Sequence, residues 1–464
     1  MRALLCSIAL TALLYAQGPA KGPLRRLPSN VHWFTDGTGK AVFLAGSHVW
    51  WNLQDNNLLM PKGGDPPPVF DYDGYLNFLV RHNHNFFRMW RWEAPKWVDR
   101  PTAESPLERY SQPHPWERTG PGEARDGKPR FDLTRFNAAY FDRLRSRVAA
   151  ARDRGIYVAV MLFEGYPGKV PSAWEHHPYN LPNNINGIDG DGMTYYIVQK
   201  TAMGKRVLDL QEAYVRKVID TLNDLDNVLW EICNEAEAYS APWQNHLIRY
   251  IKQYEQAKPK QHPVGITSMY PDGVNATLFR SPADWVSPRN GLPEENYRAD
   301  PSPDTKGKVV VNDTDHLGGY TVGDAVWVWK SFLRGLNTIL MENMAESPTW
   351  QDSARVGMGQ AQRYAQKVDL AAMKPAGELC LMQSGYTWAG YCLAAKGREY
   401  LVLQTGNTGQ FRVDLRDAAG SCSVEWLDVT ADRTVVGQIV KGGAQRTFVT
   451  PFGGPAVLYL KCSN

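Results

Sequence analysis

Residues 227 to 237 read NVLWEICNEAE, an apolar, strand-like run from Asn227 to Cys233 that ends in an amide and a carboxyl, Asn234 and Glu235. Seven further runs with β-branched or aromatic content recur along the chain: Ala41 to Gly46, Asn85 to Trp90, Ile156 to Phe163, Pro263 to Ser268, Trp285 to Ser287, Lys308 to Asn312 and Thr338 to Met341. Helix-like segments lie between them. The clearest carries Phe136, Tyr140, Phe141, Leu144, Val148 and Ala151 at helical spacing before a stop at Gly155; others span Leu210 to Leu222, Trp243 to Tyr254, Asp324 to Leu336 and Ser353 to Ala372. Strands alternating with helices imply parallel pairing, and eight such units over about 350 residues predict an α/β fold, a (β/α)8 TIM barrel over residues 21–374. The competing architecture, a doubly wound open sheet, would carry a glycine-rich phosphate turn after its first strand, where GSHVWW stands at 46 to 51.

In a barrel the strand C-termini open onto the active-site mouth. Asn234 there offers an amide for a substrate hydroxyl, and Glu235 an acid for a glycosidic oxygen. Loops rich in Pro, Gly and Asn, Pro61 to Pro68, Pro101 to Pro129 and Asn180 to Gly192, follow strands one, two and three on that face. Within the last of them Asp189 and Asp191 read as a tight turn, since the spacing of a calcium loop is missing. After Lys374 the pattern changes to short alternating strands (Tyr400 to Gln404, Gln410 to Leu415, Ser423 to Leu427, Arg446 to Val449, Ala456 to Leu460) with Gly, Asn and Asp turns, predicting a small β-sandwich over 375–464.

The chain has 464 residues and a formal charge of +3, so no global field is available to hold nucleic acid or an anionic membrane. Sixteen tryptophans favour a partner with apolar faces to stack on, as sugar rings have. Arg2, the apolar run from Ala3 to Ala16 and the small residues up to Ala20 read as a signal peptide over residues 1–20, with export to the periplasm or medium. That run is short for a membrane span, and no later one reaches about 20 apolar residues. Cys380, Cys392, Cys422 and Cys462 cluster near the C-terminus, so an exported chain is expected to form at least one disulfide there; the sequence leaves three pairings open. Cys6 falls in the leader, and Cys233 stands alone.

These residues resemble clan A glycoside hydrolases, (β/α)8 retaining enzymes whose fourth strand ends in Asn-Glu. HWFTDGTGKAVFLAGSHVWWNLQD at 32 to 55, NFFRMWRW at 85 to 92 and NVLWEICNEAE are similar to the cellulase-like, apiosidase-like family, often followed by a domain labelled as collagen-binding. The resemblance covers most of residues 27 to 375. It implies that Arg88 is the arginine of the clan, Asn234 its asparagine and Glu235 its acid/base. In the seventh strand, KVVVNDTDHLGG at 308 to 319, the clan's glutamate nucleophile is missing; by register Asp315 takes its slot and Asp313 a supporting one. Glu342, in TILMEN, is the third candidate. A retaining pair stands about 5 to 5.5 Å apart, whereas inversion needs about 6.5 to 9.5 Å.

Around these acids, Arg88 wants a carboxylate partner, and His48 and His316 could bond sugar hydroxyls. Trp50, Trp51, Trp90 and Trp92 cluster at the ends of strands one and two, and of these Trp51 and Trp90 are expected to stack under sugar rings. Glu231, of the same strand parity as Glu235, is expected inside the barrel as a hydrogen-bonded acid. The function that follows is hydrolysis of O-glycosidic bonds with a carbohydrate as partner; no cofactor and no metal are required, and the oligomeric state is open. Two alternatives stand beside it: an inverting hydrolase or transglycosidase on the same barrel, and a catalytically silent carbohydrate-binding protein.

Overall fold

The computed structural model describes residues 18–463 apart from 59–63, 100–105, 199, 292–294, 319–321, 345–348, 383–389 and 407–409. Residues 1–17 of the signal peptide expected over 1–20, with Cys6, lie outside the described residues. Eight parallel strands form one sheet: β1 (Ala45–His48), β2 (Phe86–Met89), β3 (Tyr157–Glu164), β4 (Val228–Asn234), β5 (Val264–Thr267), β6 (Trp285–Ser287), β7 (Val309–Asp313) and β8 (Asn337–Met341). Each pairs with its sequence neighbour from β2 round to β8, and β8 pairs with β1. The seam between β1 and β2 is closed by the Asn85 N–H donating to Ala45 O (2.9 Å) and by the Asn85 amide oxygen accepting from the Ala45 N–H (2.9 Å). A Cβ at position 46 would lie 2.0 Å from Phe86 O, so only glycine permits this closure.

Helices flank the barrel: α1 (Tyr72–Arg81), α2 (Ala138–Asp153), α3 (Ala202–Leu222), α4 (Ala241–Glu255), α5 (Asn275–Arg280), α6 (Ala325–Leu333) and α7 (Gln351–Lys367). Their apolar faces pack on the outward residues of the strands, for example Leu144 and Val148 of α2 with Val158 and Val160 of β3. Inside the barrel the residues change character along each strand. Leu44, Phe86, Ala159, Leu229, Trp285, Val309, Val311 and Ile339 fill the interior as an apolar layer. The next inward positions toward the C-terminal end are His48, Arg88, Glu231 and Asp313, all buried. Gly265 makes room for this filling, because a Cβ there would meet the Trp285 ring at 1.9 Å.

Three expectations are corrected. Strand one begins at Ala45, because Ala41–Val42 pairs instead with Phe34–Thr35 in a small antiparallel sheet at the chain's start. The described part of the segment from Pro101 to Pro129 is largely extended structure: Leu107–Gln112 pairs with Lys96–Asp99 and with Asp55–Asn56, and Trp116–Glu123 forms a hairpin with Pro129–Phe136. Phe136 therefore ends a strand, and α2 starts two residues later behind the Asn137 cap.

Beyond α7 come β9 (Tyr391–Ala395), β10 (Glu399–Gln404), β11 (Gln410–Asp414), β12 (Ser421–Asp428), β13 (Gln445–Val449) and β14 (Ala456–Cys462). Strands β9, β10, β14 and β12 lie side by side in one antiparallel sheet, while β11 and β13 belong to a second, with Val402, Leu458, Leu460 and Trp426 of the first facing Phe411, Val413 and Phe448. The alternate residues of the larger sheet, Leu401, Leu403, Val457 and Tyr459, join the core of the barrel. Polar contacts fix the join: Gln360 of α7 donates to Val429 O (2.9 Å), and the Tyr364 hydroxyl donates to Glu425 (2.7 Å).

Cys422 and Cys462, register partners on β12 and β14, form a disulfide, meeting the expectation of at least one bridge; Cys380, Cys392 and Cys233 are free and buried. With its ends separated by 40 positions in the sequence, the bridge is expected to contribute about 2 to 4 kcal/mol. The Cys422→Ala, Cys462→Ala double variant should show that loss in denaturant unfolding, and an unchanged midpoint would refute it.

Candidate active site

Arg88 organises the mouth of the barrel. Its Nε donates to Glu231 Oε2 (2.9 Å) and its Nη2 to Glu231 Oε1 (2.5 Å), while Nη2 also reaches Asn234 Oδ1 (2.7 Å). Nη1 donates to both Asp313 Oδ2 (2.9 Å) and Asp315 Oδ2 (3.1 Å). One guanidinium on β2 thus ties the end of β4 to the end of β7. A cation fully removed from water persists only when its donors are satisfied, and all three nitrogens of this one are. Glu231 is buried inside the barrel as expected, and the Arg88 guanidinium also lies 5.2 Å from the Trp90 ring centroid.

The two β7 aspartates differ in surroundings. The Asp313 side chain has no exposure; its Oδ2 faces Arg88, and its Oδ1 accepts the Asp315 N–H (2.9 Å) and lies 3.4 Å from His48 Nε2. Burial would raise its proton affinity, but His48 and Arg88 overcome that and hold the carboxyl well below the usual range. Asp315, one step out on the turn Thr314–Leu317, keeps 7% of its side chain exposed. Burial and the neighbouring Asp313 charge push its carboxyl well above the usual range, with Glu235 adding in the same direction. Of the pair, Asp313 is the more acidic and Asp315 the group with the raised proton affinity. His316 is held neutral by burial, its pKa brought down to about 3, and its Nδ1 lies 2.8 Å from Ser287 Oγ.

Glu235 stands just past the end of β4 with φ of 51°, a left-handed backbone that is unusual for a residue with a side chain. The turn lies close against the end of β3, where only glycine fits: a Cβ at Gly165 would meet Ala236 N at 2.4 Å. Lys169 holds the turn from outside, donating to Glu235 O (2.9 Å) and Glu235 Oε2 (3.2 Å). With 27% of its side chain exposed, Glu235 is the most open acid of the group.

Other candidates lie apart from this pair. Glu342 has no exposure, receives the Arg355 guanidinium of α7 (Nε to Oε2, 2.7 Å) and accepts the Asn343 and Met344 N–H groups, so both of its oxygens are already bonded within the protein. Trp90 is buried, stacked on His48 with centroids 5.8 Å apart, and forms the wall behind Arg88. Trp51 is half-buried, its ring edge-on to Phe70. Neither indole presents an open face like that of Trp350, which is 46% exposed.

Glu164, at the end of β3, is a member of the site that the sequence reading leaves out. Its register partner is Asn234. It is buried, its N–H donates to Glu93 Oε1 (2.8 Å), its Oε1 accepts the Tyr166 N–H (2.7 Å), and burial pushes its carboxyl well above the usual range. Glu93 in turn accepts from the Tyr195 hydroxyl (2.6 Å) and lies 3.1 Å from His177 Nε2. The signal that would have found Glu164 is the likeness of LFEG at 162 to 165 to ICNE at 232 to 235 on neighbouring strands.

Asp313, Asp315 and His316 bring three ligand-type atoms within 4.8 Å of one another. Because Arg88 Nη1 bonds both carboxylates, a cation already serves them. What the arrangement offers chemically is a partly open acid just past β4, a less open carboxyl just past β7 and a fixed positive charge bonded to the second of them.

Comparisons with known proteins agree on the fold. Residues 77–278 match the model of a family described as a domain of unknown function, DUF6298. No curated protein matches the chain. Among solved structures, a glycoside hydrolase family 5 protein from Bacteroides vulgatus ATCC 8482 is similar over 95% of this chain and 94% of its own, with 13% identity and a TM-score of 0.59. A candidate glycoside hydrolase from the same organism is similar over 98% of this chain and 84% of its own (15% identity, TM-score 0.60), and another structure described as a glycoside hydrolase over 96% and 99% (11%, 0.56). Barrel and sandwich together are thus a shared architecture. Among the described residues no helix is long and apolar enough to cross a membrane.

Proposed function

We propose that the chain is an exported glycoside hydrolase acting on O-glycosidic bonds of an oligo- or polysaccharide, with Glu235 as acid/base and Asp315 as nucleophile. The observation that carries this reading is the Arg88 cluster, which joins Asn234, beside Glu235 on β4, to Asp315 beyond β7 and leaves exposure on just these two acids of the group. An Asp315 oxygen attacks the anomeric carbon as Glu235 protonates the departing glycosidic oxygen. Water, giving its proton back to Glu235, then cleaves the glycosyl ester and restores both carboxyls. Asn234 contacts a sugar hydroxyl, and Asp313 keeps Arg88 in place.

Names borne by the similar structures, the resemblance to the apiosidase-like family and the disulfide, which suits an oxidising compartment, support this reading. The sandwich, docked on α6 and α7, serves as a brace. The raised proton affinity of Asp315 favours a second reading in which the two roles are exchanged, Asp315 donating the proton and Glu235 attacking. A screen of aryl glycosides, with the anomer of the product followed by NMR, tests the activity. Retention supports a double displacement, inversion removes the covalent step, and no turnover of any glycoside favours a silent binding protein.

A pH dependence follows from the aspartate pair. Asp315 must be ionised to attack, so activity should rise with pH through its elevated pKa, placing the acid limb above the usual carboxylate range. Burial is the larger cause of that elevation and stays in Asp313→Asn, but the neighbouring charge that adds to it is removed, so the limb should move to lower pH. The kcat/KM profile of the variant measures this, and an unmoved limb would assign it to another group.

A further inference from the structure

Between the loops that follow β6, β7 and β8, on the same face as Glu235, lies a recess of about 510 Å3 lined by Arg298, Val322, Gly323, Asp324, Trp327 and Trp350. That volume is in the range of small-ligand sites, about 300 to 1,000 Å3. The recess borders the turn that carries Asp315 and His316: a Cβ at Gly318, which ends that turn, would lie 3.7 Å from Arg298 Nη1, and one at Gly323 would lie 3.0 Å from the Thr314 methyl. A sugar chain with its scissile bond over Asp315 can therefore place a neighbouring ring in this recess.

Its walls have a definite chemistry. Trp350, at the start of α7, leaves 46% of its surface to water, an apolar face of the kind that stacks under a pyranose. Arg298 is exposed, and among the described residues its guanidinium has no carboxylate partner. Other arginines of this face are engaged: Arg88 with Glu231, Asp313 and Asp315, Arg355 with Glu342, and Arg289 with the Pro271 and Gly273 carbonyls. Asp324 spends Oδ1 on the Trp327 N–H as the cap of α6, which leaves its second oxygen to accept hydroxyls. A planar guanidinium matches a carboxylate through two parallel charge-assisted N–H bonds, whereas the hydroxyls of a neutral sugar can accept from the same fork but bring no charge to meet it.

We infer that this recess is a subsite for an acidic sugar residue, a glycuronate, with Arg298 taking its carboxylate, Trp350 stacking on its ring and Asp324 accepting its hydroxyls. The inference deepens the glycosidase reading by naming a class of substrate, and for its location beside the bond cleaved it rests on that reading.

Calorimetric titration of the full-length Glu235→Gln protein with galacturonate and glucuronate oligosaccharides, each beside its carboxyl-reduced counterpart, tests it. At least one acidic probe should bind about tenfold or more tightly than its reduced partner. Arg298→Gln should abolish that preference while leaving the reduced probe's affinity unchanged, and Trp350→Ala should weaken both. Equal affinity for every pair, no binding of any probe, or a preference that survives Arg298→Gln overturns the subsite. Preference lost in Arg298→Gln, together with wild-type protein that cleaves no glycoside, would keep the subsite and reject the hydrolase. Cleavage of neutral glycosides with no Arg298-dependent preference would do the reverse.

Discussion

Glu235→Gln is expected to lower turnover of unactivated glycosides by about 10²- to 10⁴-fold, the contribution of one well-placed proton-transfer group. The substitution preserves the shape of the side chain and an oxygen for Lys169, whose other bond, to the Glu235 carbonyl, is unaffected. Melting should therefore change little, and a fall in rate would belong to chemistry. Substrates with good leaving groups, such as dinitrophenyl glycosides, need no proton in the first step and should retain a rapid burst. Wild-type rates on natural glycosides in a folded Glu235→Gln protein would remove Glu235 from the acid role.

Asp315→Gly should reduce turnover on the order of 10⁴-fold, since no other exposed carboxyl of the Arg88 cluster can form the glycosyl ester. Azide or formate should restore part of the rate by entering the vacated space, with azide giving a glycosyl azide that chromatography identifies. Asp313→Gly should not respond, because its position is closed to solvent and the lost charge is one that Arg88 and His48 need. Rescue of Glu235→Gly in place of Asp315→Gly would establish the exchanged roles. Rescue confined to Glu342→Gly would move the nucleophile to β8, against the bonds that Arg355 makes there.

The sequence carried the architecture because alternation of apolar strands and amphipathic helices is set locally, by which residues avoid water. Seven of the eight barrel strands lie where their apolar runs predict them, with ends shifted by a residue or two. Strand one and the extended segments from 107 to 136 were less legible. Ala41–Val42 folds back locally on Phe34–Thr35 and Leu107–Gln112 on Lys96–Asp99, and only Asp55–Asn56, the other partner of Leu107–Gln112, is distant in sequence. Polar and turn-forming residues inside those segments conceal the pairing.

For the site, the sequence by itself placed Asn234, Glu235, Arg88 and the β7 aspartates at strand ends, and a strand end in a barrel is a common meeting point. Simple parity went further than the chain allows. Ile232 and Cys233 both pack into the outer core, as do their register neighbours Leu162 and Phe163, so alternation breaks in β3 and β4 together. The break lets Asn234 share Arg88 with Glu231, three positions earlier, and leaves Glu164 buried beside Glu93. Which carboxyl each arginine holds was also decided by the tertiary structure alone: Arg88 takes Asp313 and Asp315, Arg355 takes Glu342. Such assignments depend on which charges share a space without water, where a guanidinium and a carboxylate must satisfy one another, and that is settled when the strands close into a barrel.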